Sequence, residues 1–445
     1  MNTILRWRHV GGMLVGVLAT SLGLSWMVLL GTPQTVDKPA DAASQSAQVA
    51  RGAYLARAGD CASCHTLAGG QPLAGGRPIP TPYGTIYTPN ITPDMTTGIG
   101  TWSAEDFWRA MHDGIDAHGH YLYPAFPFTS FTRLTRQDVD AIYAWLRTVK
   151  PVHATRLPNT LSFPYSWRSL MGIWRMLYFD AGTYRPDPTK SAAWNRGAYL
   201  VKGLGHCADC HSPRNWLGAT RDNSALAGAM IPQQDWYAPN LGTAQGNGLA
   251  GWSRQDIIDF LHTGRSTKGI AYGPMAEVVH ASLQYLTTAD VVAMATYLMQ
   301  RPSRPTPIHY SRFVPPPVRR AREDHLNSWV VQGHVIYMKH CAACHGKNGE
   351  GQLDVYPPLA GNSSILAASP ANAIRKVLLG GFAPATQTFP RPYSMPPFIE
   401  KLNDHEVALV VTYIRHAWRN RPATDPPLST VADDTVAKYR SAFTR

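Results

Sequence analysis

The chain has 445 residues, a formal net charge of +12 and only 16% charged residues. This length allows about three domains of the usual ~100–200 residues, and the hydrophobic content excludes a disordered chain. Because the basic residues are scattered and form no dense run, the charge does not predict nucleic-acid binding. An acidic partner or an anionic membrane surface fits the positive surplus better.

An apolar segment, Val10 to Gly31, follows Arg6 and Arg8 near the N-terminus. It is longer than the ~7–15-residue core of a cleavable signal and reaches the ~20 residues that a spanning helix needs. We predict an export signal or uncleaved membrane anchor within residues 1–40. The two arginines would stay in the cytoplasm, and the remainder of the chain would face the periplasm.

All six cysteines lie in three Cys-x-x-Cys-His motifs, a pattern that attaches c-type haem. The thiols form thioethers with the haem vinyl groups, and the imidazole ligates the iron. Zinc ribbons place a second cysteine pair only ~15–20 residues further on, and thioredoxin-like sites need one pair without the histidine. We therefore predict three covalent haem c groups and a role in electron transfer. The predicted attachment residues are Cys61, Cys64, Cys207, Cys210, Cys341 and Cys344, and the predicted iron ligands are His65, His211 and His345.

The residues that precede each motif are also repeated, which indicates tandem units. The segments Arg51-Gly-Ala-Tyr-Leu55 and Arg196-Gly-Ala-Tyr-Leu200 are identical, and Gln332-Gly333 opens a weaker third copy. After each motif comes a loop rich in Gly and Pro. Capping patterns then predict further helices. These patterns are Ser103 to Asp106, Thr135 to Asp138, Ser253 to Asp256, Thr287 to Asp290 and Asn403 to Glu406.

Helix, haem-binding turn, helix and closing helix follow one another in each unit, so we predict an all-α fold. It would comprise three tandem haem domains behind the N-terminal apolar helix, at residues 45–150, 191–302 and 326–422. The apolar stripes of the closing helices are expected to form the cores. Linkers at 151–190 and 303–325 and a tail at 423–445 complete the chain.

The order of elements is similar to the class I cytochrome c fold, in which the loop before the closing helix carries the distal iron ligand. Met275 and Met395 lie in such loops beside prolines, so we predict that their sulfur atoms ligate the second and third irons. Phe126 stands at this position in the first unit and cannot ligate iron. Either another side chain completes that site or the iron is five-coordinate. The candidate side chains are Met95, Met111, His112, His118 and His120.

The two linkers indicate docking between domains. In the first linker an apolar stripe predicts packing between the first two domains, with a membrane-surface or partner-binding helix as the alternative. The stripe consists of Trp167, Leu170, Met171, Trp174 and Leu177. The prolines of the second linker predict a semi-rigid, extended connector.

Beyond the haem motifs, the chain resembles the triple-haem cytochrome c subunits of membrane-associated periplasmic dehydrogenases. The most specific segments are Thr88-Pro-Asn-Ile-Thr-Pro-Asp94, Trp194-Asn-Arg-Gly-Ala-Tyr-Leu200, His211-Ser-Pro-Arg214 and Tyr356-Pro-Pro-Leu-Ala-Gly-Asn362. The resemblance implies a subunit that relays electrons from a dehydrogenase catalytic subunit to ubiquinone at the inner membrane. It would do no substrate chemistry itself, and its partner would oxidise alcohols, sugars or aldehydes. The Pro-Ala-Phe-Pro loop around Phe126 looks more like cytochrome partners of molybdenum-containing dehydrogenases.

Two other functions stay open at this point. Phe126 allows a peroxidase-like multihaem enzyme that uses an open first haem. An anchored multihaem chain can also be the cytochrome c subunit of a terminal oxidase.

Overall fold

The computed structural model describes residues 42–220, 225–243, 248–301, 323–418, 420 and 430–442. The predicted N-terminal anchor and most of the proline-rich connector lie outside the described residues. Helices dominate the described part, as predicted, and the strands form short two-stranded pairs. None of the described helices is long and apolar enough to span a membrane.

The first repeat begins with a helix that leads directly into the first haem motif. Its helices are α1 (Ala42–Ala58), α2 (Cys61–His65), α3 (Ala104–Asp113), α4 (Phe128–Phe131) and α5 (Arg136–Leu146). The strands β1 (Pro78–Thr81) and β2 (Gly84–Tyr87) form an antiparallel hairpin in the loop after the motif. Helix α6 (Leu170–Tyr178) follows in the linker.

The second repeat has the same order of five helices as the first, and the third has four, without a counterpart of α4 among its described residues. The second contains α7 (Ala192–Lys202), α8 (Ala208–His211), α9 (Arg254–Thr263), α10 (Pro274–Ala281) and α11 (Thr288–Met299), with the short strands β3 (Ala229–Met230), β4 (Tyr237–Ala238), β5 (Arg265–Ser266) and β6 (Gly269–Ile270). The third contains α12 (Glu323–His340), α13 (Ala342–His345), α14 (Ala371–Leu379) and α15 (Asp404–His416), with β7 (Gly381–Phe382) and β8 (Ser394–Met395). Helix α16 (Asp433–Ser441) lies in the predicted tail and buries Val436 and Tyr439 in the third core, so this segment is part of the fold.

The predicted helix starts are confirmed. Ser103, Ser253 and Asn403 each complete a reciprocal capping box with the residue three positions later. Thr135 and Thr287 also accept a hydrogen bond from the backbone three residues on. In these two helices, however, the carboxylates of Asp138 and Asp290 turn to other partners.

Those partners join the first two repeats reciprocally. The hydroxyl of Tyr54 in the first repeat donates to Asp290 in the second at 2.6 Å, and that of Tyr199 in the second donates to Asp138 in the first at 2.6 Å. Each carboxylate also binds the arginine of its own repeat, Arg196 or Arg51. The two repeats therefore pack about a pseudo-twofold axis.

The glycine of each repeated segment permits a close helix crossing. A β-carbon on Gly52 would lie 1.8 Å from the carbonyl oxygen of Ala141, and one on Gly197 would lie 1.9 Å from that of Ala293. In the third repeat, a β-carbon on Gly333 would lie 2.3 Å from the carbonyl oxygen of Leu409. This contact explains why the third copy keeps the glycine although it has lost the arginine and tyrosine.

The buried apolar side chains form one core that runs through the first two repeats, a separate core in the third, and a small cluster of Phe128, Trp174 and Ala219. Helix α6 lies between the first two repeats through Trp174, which stacks edge-on against Phe128 and donates its indole N–H to the carbonyl of Leu217 at 3.0 Å. Trp167 and Leu177 of the same predicted stripe are instead exposed. The docking prediction for this helix is therefore confirmed only for its inner face.

The reciprocal tyrosines give a test of this packing. We expect Tyr199→Phe to lower the free energy of unfolding by about 1.5–3 kcal/mol, because Asp138 is buried and loses a charge-assisted hydrogen bond. Tyr184→Phe is the matched control, since it removes a hydrogen bond from the first linker to the neutral Asn195 of the second repeat, with an expected cost of about 0.5–1.5 kcal/mol. Urea unfolding of the holoprotein measures both. An equal loss of unfolding free energy in the two variants would contradict a special role for the contact between Tyr199 and Asp138.

Candidate functional site

Each Cys-x-x-Cys-His motif forms a single helical turn at the end of a longer helix. The first motif is α2, which follows α1 after two residues. Positions one, four and five of a helical turn share a face, so Cys61, Cys64 and His65 can act on one group. The other two motifs repeat this arrangement.

The histidine of every motif is fixed by a backbone carbonyl from the loop that follows it. The Nδ1 atom of His65 lies 2.8 Å from the carbonyl oxygen of Pro89. His211 makes the same contact with Pro239 at 2.7 Å, and His345 makes it with Pro357 at 3.0 Å. A carbonyl can only accept, so Nδ1 carries the proton and Nε2 keeps its lone pair. Metal-ligating histidines are typically oriented by such a bond.

Burial also keeps these three imidazoles in the state that binds metal. It lowers the pKa of His65, His211 and His345 below the usual value, although the proline carbonyl opposes the shift. A neutral imidazole is the form that ligates iron. All three histidines therefore have the tautomer and the charge that a proximal ligand needs.

The cysteines are suited to a permanent covalent role. Burial raises the pKa of Cys61, Cys207 and Cys341 to about 12. Such thiols are poor redox nucleophiles at neutral pH. All six cysteines are free of disulfide bonds. The described residues contain no cluster of three or more His, Cys, Asp or Glu side chains that could hold a metal ion.

The predicted distal methionines lie against the same cores as the motifs of their own repeats. Met275 is at the first turn of α10 and packs with Cys207 against the core of the first two repeats. Met395 ends β8 and packs with Cys341 against the third core. Both side chains are half-buried, which agrees with a position on the inner side of the loop.

Phe126 occupies the corresponding place in the first repeat. It packs against the core that contains Cys61, and its ring lies edge-on to Phe131 with 5.4 Å between the centroids. Phe126 and His65 line the same cavity. The structure therefore places an apolar ring where the other repeats carry a sulfur atom.

A cavity of about 1510 Å³ surrounds the first motif and reaches the second. Its lining includes Cys61, Cys64 and His65 from the first motif and Cys210 from the second. Ordinary small-molecule pockets measure about 300–1,000 Å³. The cavity thus has room for a group much larger than a common metabolite.

The residues present fit haem. Two thiols and a neutral imidazole share one helical face in each motif. The guanidinium of Arg265 is buried and donates to the carbonyl oxygen of Asp354, but among the described residues no acceptor meets its Nε. Buried guanidinium groups call for a negative partner, and the propionates of haem would supply one.

The sequence predicts the cysteines, the histidines and the loop methionines as site residues, but it does not predict the three proline carbonyls or the Tyr54 and Tyr199 pairings. In the first two repeats the orienting proline ends a Tyr-x-Pro pattern that begins at Tyr87 or Tyr237, whereas in the third Pro357 directly follows Tyr356. Nothing in a single sequence shows which carbonyl an imidazole will meet. The tyrosines stand in the repeated segment, but the repeat does not show what their hydroxyl groups contact.

Known proteins with similar sequences include cytochrome c subunits. The sequence model of the cytochrome c family matches residues 49–150 and 330–418. A nicotinate dehydrogenase subunit of Pseudomonas putida is 41% identical over 421 residues, which are 94% of this chain but only 33% of that protein. The chain thus spans about a third of the length of this relative.

Two further relatives are matched over most of their own length. The fructose dehydrogenase cytochrome subunit of Gluconobacter japonicus is 38% identical, over 91% of this chain and 85% of that protein. The cytochrome c subunit of alcohol dehydrogenase (quinone) from Gluconacetobacter polyoxogenes is 37% identical, over 94% of this chain and 89% of that protein. On this similarity and the site described above, the chain belongs to the family of cytochrome c subunits of dehydrogenases.

Proposed function

We propose that this chain carries three covalent haem c groups and relays electrons from a dehydrogenase catalytic subunit to ubiquinone at the periplasmic face of the inner membrane. The observation that carries the proposal is the hydrogen bond between the motif histidine and a proline carbonyl, which occurs once in each of the three repeats. Three sites with the same donor set and the same orienting bond support three equivalent attachments. The haem supplies the one-electron redox change when bound.

The roles of the residues follow from their places in the repeats. The three cysteine pairs form the thioethers, and His65, His211 and His345 are the proximal ligands. Met275 and Met395 are the distal ligands of the second and third sites, where a thioether raises the reduction potential. We assign the three haem domains to residues 45–150, 191–302 and 326–422, as the sequence predicts.

Contacts between the repeats support a relay with the second site in the middle. Cys64 of the first motif and Cys210 of the second line one cavity. The guanidinium of Arg77 pairs with Glu277, two residues after Met275, with an N–O distance of 3.1 Å. The edges of the first two sites therefore face each other across a fixed interface.

The third repeat is held to the second beside the second site. The side chain of Asn372 accepts from the backbone N–H of Tyr237 at 2.9 Å and donates to its carbonyl at 2.8 Å. Tyr237 stands two residues before Pro239, whose carbonyl orients His211. This contact fixes the third repeat next to the loop that holds the second proximal ligand.

The partner is inferred from the named relatives. Their names refer to nicotinate, fructose and alcohol dehydrogenases, and one name includes quinone. We therefore propose a flavin, quinoprotein or molybdenum subunit as the electron donor. Substrate chemistry would take place on that subunit and not on this chain.

An exposed apolar surface supports contact with the membrane. Around α6, the side chains of Phe163, Trp167, Ile173, Met176 and Leu177 are more than half exposed. No acidic residue occurs from Ala141 to Phe179, whereas five basic residues do: Arg147, Lys150, Arg156, Arg168 and Arg175. Apolar side chains among basic residues are typical of surfaces that bind anionic lipids.

Purification from solubilised membranes tests the relay. We expect the tagged chain to co-purify with a dehydrogenase subunit, and the c-type haem absorption to become reduced when an alcohol, aldehyde, sugar or N-heterocycle is supplied. A soluble ubiquinone analogue should reoxidise it. Isolation of the chain alone with peroxide turnover would instead favour the peroxidase-like enzyme. Co-purification with oxygen-reducing subunits would favour the terminal oxidase.

The surface around α6 can be tested with vesicles. We expect a chain without residues 1–41 to co-sediment with phosphatidylglycerol-containing vesicles, and Met176→Ser with Leu177→Ser to weaken this binding at least tenfold. The reason is that each large apolar side chain contributes about 1.5–3 kcal/mol when buried, and ~1.4 kcal/mol is a factor of ten.

The matched control is Leu353→Ser with Phe382→Ser, because these side chains are similarly exposed but lie in the third repeat. This pair should leave vesicle binding unchanged. Equal loss in both pairs, or no loss in either, would contradict membrane contact through α6.

A further inference from the structure

The first site differs from the other two on its distal side. Phe126 stands where Met275 stands in the second repeat, and it lines the cavity together with His65. A phenyl ring has no lone pair for iron. A protein ligand, if one exists, must therefore come from elsewhere in the chain.

Met111 is one candidate that lines the cavity. The residues at the equivalent position of the other two repeats indicate its role. It stands three residues before Gly114, which ends α3, as Leu261 stands before Gly264 and Val377 before Gly380. All three side chains are buried. The second and third repeats have their own loop methionine and still fill this position with an apolar side chain. Met111 therefore corresponds to a core position.

His118 also lines the cavity, but from the tip of a turn. It precedes Gly119 as Lys268 precedes Gly269 in the second repeat, where the equivalent turn joins β5 to β6. The residue is exposed, and its backbone N–H donates to Asp116. The equivalent position in the second repeat holds a half-buried lysine, whose ammonium group cannot ligate iron, so His118 corresponds to a turn position and not to a ligand position.

The other candidates have different surroundings. The ring of His112 stacks on Trp108 at 4.5 Å, and its Nδ1 lies 2.8 Å from Asp113. The side chain of His120 is 58% exposed and contacts Asp116, while Met95 is 63% exposed. None of these three is among the described residues that line the cavity. Met171, Met230 and His206 also line it, but each has other neighbours: Met171 packs against Phe128 and Trp174, Met230 packs against the third core, and His206 lies beside Asp209.

We infer that the iron held by His65 keeps an open sixth position on the Phe126 side, which binds small neutral ligands such as carbon monoxide in the ferrous state. The inference rests on the haem attachment proposed above. The aromatic lining by Phe126 and Phe131 favours an uncharged diatomic molecule over an anion. The second and third sites, closed by Met275 and Met395, would not bind it.

Carbon monoxide titration of the dithionite-reduced holoprotein tests this directly. We expect one carbon monoxide per chain and a high-spin signal from one haem in the oxidised protein. Phe126→Met should abolish both and add the far-red absorption of a histidine–methionine pair. In the reverse exchange, Met275→Phe should raise the stoichiometry to two per chain.

Met111→Leu and His118→Ala are the controls, and each should leave one carbon monoxide per chain. No binding by the unmodified protein would overturn the inference. Carbon monoxide binding at the first site that appears only in Met111→Leu or His118→Ala would also overturn it, because the replaced side chain would then be the iron ligand. A parallel pyridine-haemochrome assay counts the haems and so separates failure of this inference from failure of the proposed haem attachment. Two haems per chain, with Cys61 and Cys64 unmodified, would overturn haem attachment at the first motif.

Discussion

The hydrogen bond from the imidazole of each motif to a proline carbonyl is the constraint on which the proposed electron relay depends. It occurs three times, with Nδ1–O distances of 2.7–3.0 Å, and it leaves Nε2 of each histidine available to a metal. Burial lowers the pKa of the same imidazoles and so keeps them neutral. The loop that supplies the carbonyl thus matters as much as the motif, because it sets the direction in which the ligand points.

Packing between the repeats turns three similar sites into one assembly. The first two repeats share a core and are joined by two equivalent tyrosine–aspartate contacts, Tyr54 with Asp290 and Tyr199 with Asp138. The third repeat has Val335 at the tyrosine position and its own core, and Asn372 holds it beside Tyr237. The second repeat therefore contacts both others. Fixed contacts of this kind suit transfer between neighbouring sites better than flexible tethers would.

Local features of the fold could be predicted from the sequence because they depend on residues only a few positions apart. The capping boxes at Ser103, Ser253 and Asn403 are examples. The long-range contacts could not be predicted, since Tyr54 and Asp290 are 236 residues apart and a single sequence gives no signal for their pairing. Apolar periodicity likewise did not tell which side of α6 faces a neighbour. Of the predicted stripe, Trp174 is buried but Trp167 is exposed.

The number of covalent haems is the most direct test of the proposed relay. Intact-mass measurement of the purified chain and of three variants, each with one cysteine pair replaced by alanine, would give it. We expect a mass equal to the polypeptide plus three haems, and one haem fewer in the Cys61/Cys64, Cys207/Cys210 and Cys341/Cys344 variants alike. An unmodified chain with fewer than three haems, or a variant that loses none, would contradict three equivalent attachments.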